Sequence, residues 1–390
     1  MQIQVKNLTE VIVGLISLAG EIPRDIHIQG VADASVVNQI NRLKKKQLIK
    51  HDAKHNRIRL RSPDGIDYLK NFSPDLYAHY MMISNNHQFQ TGEKANENNR
   101  LFSECVLYMI QCGYQIDNLS ILYRPNIFGR GEEKTDEIDK VLSGGLFDLG
   151  CDVFLKNDAI VPLEEAVTLT ADKKFFTSRY LKKGYLVTSR LNISAAAGMI
   201  VSHGNVYTVF FGRENGRLNI PSERAMNARI RELYKYAFGE EDFEQFSKEY
   251  PKAIILTKNI SAQVKRTESF ENLFRNHYIL PIDENGARVL DLLTSENWQP
   301  RIRTGLYGEN NNNICDGYLN NIPSWEILSC DFSKVKRVAK YSGNSKTNFI
   351  CFKWQEKLVK TLTKNTNAVI TTLTEDQENI LFGYMLEKEK

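Results

Sequence analysis

Two carboxylates and a lysine around a pair of strands are what a metal-dependent nuclease of the restriction-like kind requires. The acids hold Mg²⁺ and the lysine helps to activate the attacking water. Asp148 or Asp152, followed by Asp172-Lys-Lys174, has about that spacing. A plainer reading competes and is preferred: Thr170-Ala-Asp172 starts a helix carrying Phe175 and Phe176, where an acid near the first turn suits the helix dipole. Other chemistries find less support. There is no Gly-x-x-x-x-Gly-Lys-Ser/Thr loop and no Gly-x-Gly-x-x-Gly turn, so ATP hydrolysis is not expected. The seven histidines are scattered without the spacing of a metal pair. The six cysteines form no Cys-x-x-Cys and read as free thiols of a reducing interior. Neither a metal nor another cofactor is expected, and the reading leans away from an enzyme.

Charge is the more informative chemistry. The net charge is +4, but between Ala34 and Ser62 nine basic residues face one acid, Asp52. That segment is +8, which leaves −4 for the rest of the chain. A local excess this dense repels itself unless something anionic lies opposite.

The elements that must position these charges read as follows. Asn7 or Thr9 caps a helix that carries Val11, Ile12, Leu15, Ile16 and Leu18 at helical spacing and ends at Gly20. Pro23 starts a short second helix to about Ile28. Asp33 or Ser35 caps a third, Val36 to Lys46, with Val36, Val37, Ile40 and Leu43 as its apolar stripe. A strand-like Gln47–His51, turn residues Asp52–Asn56 and a strictly alternating Arg57-Ile-Arg-Leu-Arg61 complete the module. The order is that of a helix-turn-helix followed by a β-wing. Such a fold places Ser35, Asn38, Gln39, Asn41 and Arg42 of its recognition helix against base edges. Lys44, Lys45 and Lys46 at the helix end would meet phosphates, as would Lys54, His55, Arg57, Arg59 and Arg61 of the wing, with Ile58 and Leu60 turned inward. The expected partner is double-stranded DNA. A winged helix used for protein contacts is the alternative.

Further along, Ser62-Pro-Asp-Gly65-Ile-Asp-Tyr-Leu69, Asn99-Arg100-Leu-Phe-Ser-Glu104, Phe175-Phe-Thr-Ser-Arg179, Ser189-Arg190, Ala197-Gly-Met-Ile200, Val206-Tyr-Thr-Val-Phe210 and Tyr278-Ile-Leu-Pro-Ile-Asp283 recur in an order that resembles the replication-relaxation winged-helix proteins of Firmicute plasmids and conjugative elements. The resemblance spans about residues 60 to 300. It implies a DNA-transaction protein of a mobile genetic element, serving replication, transfer or transcription control, and it implies no reaction.

The expected fold class is α/β: an N-terminal winged helix-turn-helix followed by an α/β sheet domain. The expected divisions are a winged helix over 1–72, a helical connector over 73–140, an α/β domain over 141–300 and a C-terminal α/β extension or small domain over 301–390. Residues 75–135 read as helical, with a polar linker from Asn85 to Asn99 and a loop at Gly129–Lys134. Two strands within Ala197–Phe211 meet at His203-Gly-Asn205, and Ser222–Phe238 reads as a helix. Strands then alternate with helices: Ala253–Thr257, a helix from Ser261 to Arg275, His277–Pro281, a helix from Gly286 to Leu293, Glu326–Ser329, Asn348–Phe352, a helix from Gln355 to Thr363, Ala368–Leu373 and a helix from Glu375 to Leu386. Gly308–Asn313 reads as a loop. Arg179, Arg190 and Arg213 suit either local ion pairs, the preferred reading, or a second nucleic-acid surface. Trp298, Trp325 and Trp354 read as core or interface residues.

The chain of 390 residues, with 42% apolar and 25% charged residues, matches a globular protein and excludes a fibrous, wholly disordered or small disulfide-stapled one. It contains no run of about 18 apolar residues and no secretion-signal pattern at its start, so a cytoplasmic protein without membrane contact is expected. The α/β body is expected to pair with itself or with a replication or transfer protein.

Overall fold

The computed structural model describes residues 7–28, 30–74, 76–77, 80, 93–118, 174–177, 196–202, 205–215, 252–266, 274, 276–308 and 315–386. The architecture is mixed helix and sheet. The chain divides into two compact units, residues 1–201 with 219–249, and residues 202–218 with 250–390.

The first unit begins with helix α1 (Leu8–Ala19). Asn7 Oδ1 accepts the Glu10 N–H at 3.2 Å, and Gly20, at φ 83°, closes the helix by donating to Ile16 O. Helix α2 (Asp33–Lys45) follows, then strands β2 (Ile49–Asp52) and β3 (Arg57–Leu60) joined by a turn, then helix α3 (Asp64–Phe72). Ile12, Val13 and Ile16 of α1, Val36, Ile40 and Leu43 of α2, and Ile49, Ile58 and Leu60 of the strands are buried. The short second helix expected from Pro23 is not there. Ile22–Pro23 is instead strand β1, which pairs antiparallel with β3, Ile22 opposite Ile58 and Pro23 opposite Arg57. The three-stranded sheet runs β1-β3-β2, so β1 is an edge strand, where a proline costs no ladder hydrogen bond. Residues 24–28 form a turn and irregular chain.

Helix α4 (Glu93–Gln111) packs on α1 and β1, and Ser103 Oγ donates to Ala19 O at 2.9 Å. Residues 93–99, expected within a linker, are its first two turns; the buried apolar residues Leu101, Phe102 and Cys105–Met109 hold the helix in place and the polar turns extend it. The helical reading to 135 stops short, because Gln115–Asn118 is strand β4. It pairs in parallel with β5 (Lys174–Thr177), which pairs antiparallel with β6 (Ala196–Ser202). Phe175 and Phe176 therefore lie in a strand, not in the expected helix. Aromatic and β-branched residues fit a pleated ladder with a partner on each side.

In the second unit, β7 (Asn205–Gly212), β8 (Lys252–Thr257) and β9 (Asn276–Pro281) are mutually parallel. Their continuous burial from residue 252 to 257 and 277 to 281 is that of strands covered on both faces. Helix α5 (Ile260–Val264) begins near the expected start and gives way to a turn at residues 265–266; apart from residue 274, the rest of the expected 261–275 lies outside the described residues. Helix α6 (Glu284–Thr294) is capped by Asp283, which accepts the Gly286 N–H at 3.0 Å, and α7 (Trp298–Tyr307) follows. Buried Trp298 meets Tyr278 edge-on at 6.0 Å, so it is a core residue.

A second sheet of order β10-β11-β12-β13 comprises β10 (Gly317–Leu319), β11 (Ile322–Glu326), β12 (Thr347–Cys351) and β13 (Ala368–Thr372). Its first pair is antiparallel and the others are parallel. Helices α8 (Phe332–Tyr341), α9 (Glu356–Leu362) and α10 (Glu375–Leu386) alternate with these strands. Strand β11 ends where the sequence places its start. Glu326 turns its carboxylate back to accept the Ser329 N–H at 3.1 Å, and the chain leaves the sheet there. Helices α7 and α8 and strand β10 are not among the sequence expectations.

Several expectations lie outside the described residues: the linker at 85–92, the loop at 129–134, Asp148, Asp152 and Asp172, Arg179 and Arg190, the helix over 222–238, and the loop at 309–313. Among the described residues no helix is long and apolar enough to cross a membrane, and all five cysteines are free.

Gly65 gives a direct check on the packing of the first unit. A Cβ there would stand 2.0 Å from the carbonyl oxygen of Leu48, which is backbone and cannot swing aside. Gly65→Ala is expected to destabilise the protein by about 1–3 kcal/mol, the usual cost of overpacking. Urea unfolding measures it, and an unchanged midpoint contradicts this close approach.

Candidate nucleic-acid interface

Helix α2 has three apolar residues buried at helical spacing, Val36, Ile40 and Leu43, with Gln39 half-buried beside them and its other residues exposed. Its N-cap is Ala32, with no side-chain hydrogen bond. Asp33 is a first-turn acid rather than the expected cap, and its carboxylate meets His27 Nδ1 at 2.9 Å. Val37, expected in the apolar stripe, is exposed.

Ser35, Asn38, Asn41, Arg42, Lys44, Lys45 and Lys46 are all exposed. They share one helix and its end, as the sequence requires. Arg24 Nη2 donates to Asn41 Oδ1 at 3.5 Å. Gln39 is half-buried and donates from Nε2 to Thr9 Oγ1 of α1 at 2.5 Å, so it serves the packing of the two helices rather than the outer face.

The β-turn and β3 correct the sequence reading. Arg57 and Arg59, expected to point outward, are 3% and 2% exposed. Arg57 Nε donates to Glu21 Oε1 at 3.3 Å, and Arg59 Nε lies 3.9 Å from Glu21 Oε2. Arg59 Nε also donates to Gly20 O at 3.2 Å. Burial holds the Arg57 pKa below its ordinary value, while Glu21 and Glu104 of α4 pull the other way. The alternation of β3 is real, but both its faces are covered. Ile58 and Leu60 meet the apolar core, and the two arginines meet Glu21 at the end of α1. Arg61, just past the strand, is exposed.

Lys54 is exposed and stands 3.9 Å from Glu93, a separation at which a surface pair contributes little. His55 is half-buried with Nδ1 2.5 Å from Asp52 Oδ2. Burial works to raise the Asp52 pKa, but the bond from His55 and the backbone N–H groups of Lys54 and His55 outweigh it and hold the carboxyl below its usual range. Lys50 is half-buried, and burial together with Arg59 and Arg61 lowers its pKa. The exposed cationic surface is thus Arg42, Lys44, Lys45, Lys46, Lys54 and Arg61. Glu21 is the residue that sequence reasoning missed. Its available signal was position: a single acid between the helix-closing Gly20 and the edge strand that pairs with β3.

Among the described residues no three histidine, cysteine or acidic side chains converge as a metal-ligand set. Arg213 is half-buried. Comparison with protein-family models, with characterised proteins and with solved structures gives no match.

Removing Glu21 leaves two buried guanidinium groups facing each other. Glu21→Ala is expected to cost about 3–5 kcal/mol, the penalty for breaking a buried ion pair from one side. Arg61→Ala is expected to stay within about 0.5 kcal/mol, as surface changes do. Chemical denaturation of both variants compares them; equal small losses contradict the burial of this triad.

Proposed function

We propose that residues 7–72 form a winged-helix module that binds duplex DNA through the outer face of α2. The reading rests on one observation: α2 buries a narrow apolar stripe and exposes Ser35, Asn38, Asn41 and Arg42 with Lys44, Lys45 and Lys46 beyond them. Amides and a guanidinium suit base edges, and the lysines suit phosphates. The antiparallel β2–β3 pair takes the place of the wing, with Lys54 and Arg61 as its exposed cations. Arg57 and Arg59 have no part in this contact, because they are buried against Glu21 inside the fold. The resemblance noted above adds the biological setting, an accessory or regulatory protein of a mobile genetic element.

A contact made by α2 and its terminal lysines is salt-sensitive. Each neutralised phosphate contributes about −0.9 to the slope of log affinity against log salt. Lys45→Ala with Lys46→Ala is expected to weaken binding to every duplex alike and to reduce the slope by about 2. Asn41→Ala or Arg42→Ala is expected to alter sequence preference as well, by about 1–3 kcal/mol at the affected base pair. Filter binding over a salt series, with random and selected duplexes, reads both effects. Affinity that none of these variants changes removes α2 from the contact.

A further inference from the structure

The sheet β10-β11-β12-β13 separates its charges by end. Strands β11, β12 and β13 are parallel, and α8 and α9 make the two crossovers between them. The carboxylates gather where these strands finish and the helices begin. Glu326 ends β11, Asp331 caps α8, and Glu356 and Glu375 open α9 and α10. Asp316, just before the antiparallel β10, joins them, since its Oδ2 accepts the Glu326 N–H at 3.0 Å. Three lysines are held by these acids. Lys334 Nζ lies 3.2 Å from Asp316 Oδ2 and 2.5 Å from Glu326 Oε1. Lys353 and Lys360 meet the Glu356 carboxylate at 2.7 and 2.5 Å.

The opposite end of the sheet is cationic. From Phe332 to Thr374 nine basic residues face one acid, Glu356. Helices α8 and α9 pack together and both stop where β12 and β13 start. The loops that follow them touch: Asn367 Nδ2 donates to Asn344 O at 3.5 Å, and the Thr347 N–H donates to Asn367 O at 3.3 Å. The β10–β11 turn at this end is the uncharged Asn320-Asn321. Lys340, Lys346 and Lys364 lie here and are exposed. Arg337, one turn back on α8, and Lys357, two turns back on α9, are exposed as well. Among the described residues no carboxylate forms an ion pair with any of these five. An open groove beside α9 has Lys357, Lys360, Thr361 and Lys364 in its lining, with Glu356 already bound by Lys353 and Lys360. A field of one sign along such a surface concentrates a polyanion.

An aromatic ring stands at the centre of these charges. Tyr341 ends α8 and is 76% exposed, the most open of the large apolar side chains described. The Lys340 ammonium lies 5.3 Å from its ring centroid. Cations near a helix C-terminus complement its dipole, which accounts for Lys340 and Lys360. The dipole effect fades within the last turn, so Lys346 lies beyond it, and it gives no reason for a ring held in water. A ring among cations matches one kind of polyanion. Nucleic-acid bases stack on aromatic faces while their phosphates follow basic side chains. A duplex keeps its bases stacked inside, so a surface ring meets them only in an unpaired strand. A lipid surface suits this face less, because an interfacial helix also presents a broad apolar side. Among the described residues Tyr341 is the one large exposed apolar side chain on α8 or α9.

We propose that Tyr341, with Arg337, Lys340, Lys346, Lys357 and Lys364, forms a binding surface for single-stranded nucleic acid. A base stacks on Tyr341, and the backbone runs over the loop lysines and along α9. The contact is electrostatic and aromatic, so it reads little sequence. It involves none of the residues of α2.

The test uses the full chain carrying Lys45→Ala and Lys46→Ala as its parent, so that α2 contributes less, and a fluorescent oligothymidylate as its probe. Anisotropy is followed over a salt series. Tyr341→Ala is expected to weaken binding about 5- to 150-fold, and Tyr341→Phe to retain it. Lys346→Ala with Lys364→Ala is expected to reduce the salt slope by about 1.4, at about 0.7 for each phosphate of a single strand. All of these residues but the ring's partner faces are in water, so unfolding midpoints stay level with the parent. A parent that does not bind the oligothymidylate overturns the proposal, as does affinity that Tyr341→Ala or the double lysine variant leaves unchanged. A duplex of equal length that competes as well as the strand overturns it too, as does binding to phosphatidylserine vesicles without binding to the strand. A failure of the α2 reading shows elsewhere, as duplex affinity equal in the wild type and the parent.

Discussion

Glu21 between Arg57 and Arg59 is the interaction on which the N-terminal unit turns. A guanidinium taken out of water carries a desolvation penalty of several kcal/mol, and two of them side by side repel. One carboxylate at 3.3 and 3.9 Å offsets that only where its position is fixed. The fold fixes it twice. Gly20 ends α1 with its φ of 83° and turns the chain into β1, and β1 pairs with β3 so that Pro23 stands opposite Arg57. Ser103 of α4 then holds the Ala19 carbonyl at the same turn. The end of α1, the edge strand, the central strand and α4 are therefore joined at one charged point.

That point also narrows the surface open to a partner. A wing rich in arginine would spread positive charge along two strands. Here Arg57 and Arg59 of β3 are buried against Glu21 within the molecule, and the exposed cations of this stretch are Arg42, Lys44, Lys45 and Lys46 of α2 and its end, with Lys54 and Arg61 on the strand pair and just past it. The apolar stripe of α2 decides this directly, since each residue it buries sets which of its neighbours must face water.

The second unit solves a related electrostatic problem with the signs exchanged. Two carboxylates are drawn together at the end of an antiparallel strand pair, and one lysine from the following helix lies between them. The spacing of these residues in the chain, ten positions from Asp316 to Glu326 and eight more to Lys334, has no periodicity that would mark them as neighbours. The acid–acid–lysine pattern that the sequence displays at Asp148 or Asp152, Asp172 and Lys174 is legible because Asp172 and Lys174 stand two residues apart, an acid-x-lysine step. The one the structure assembles is not legible, because a strand reversal and a helix turn create it.

Local signals determined a good deal of this protein. Asn7 and Gly20 delimit α1, the apolar stripe of α2 sets its inner face, and turn residues separate β2 from β3, all through interactions within a few residues of one another. The parallel strands near 253 and 277 are legible as apolar runs for the same reason. Tertiary structure decided the rest. Pro23 became an edge strand because β3 lay beside it, and Phe175 and Phe176 became strand residues because β4 and β6 flank them. Arg57 and Arg59 turned inward because α1 delivers Glu21 to the other face of the sheet. Alternation along a strand tells which residues share a face, but whether water or a carboxylate meets that face depends on chain that is distant in sequence.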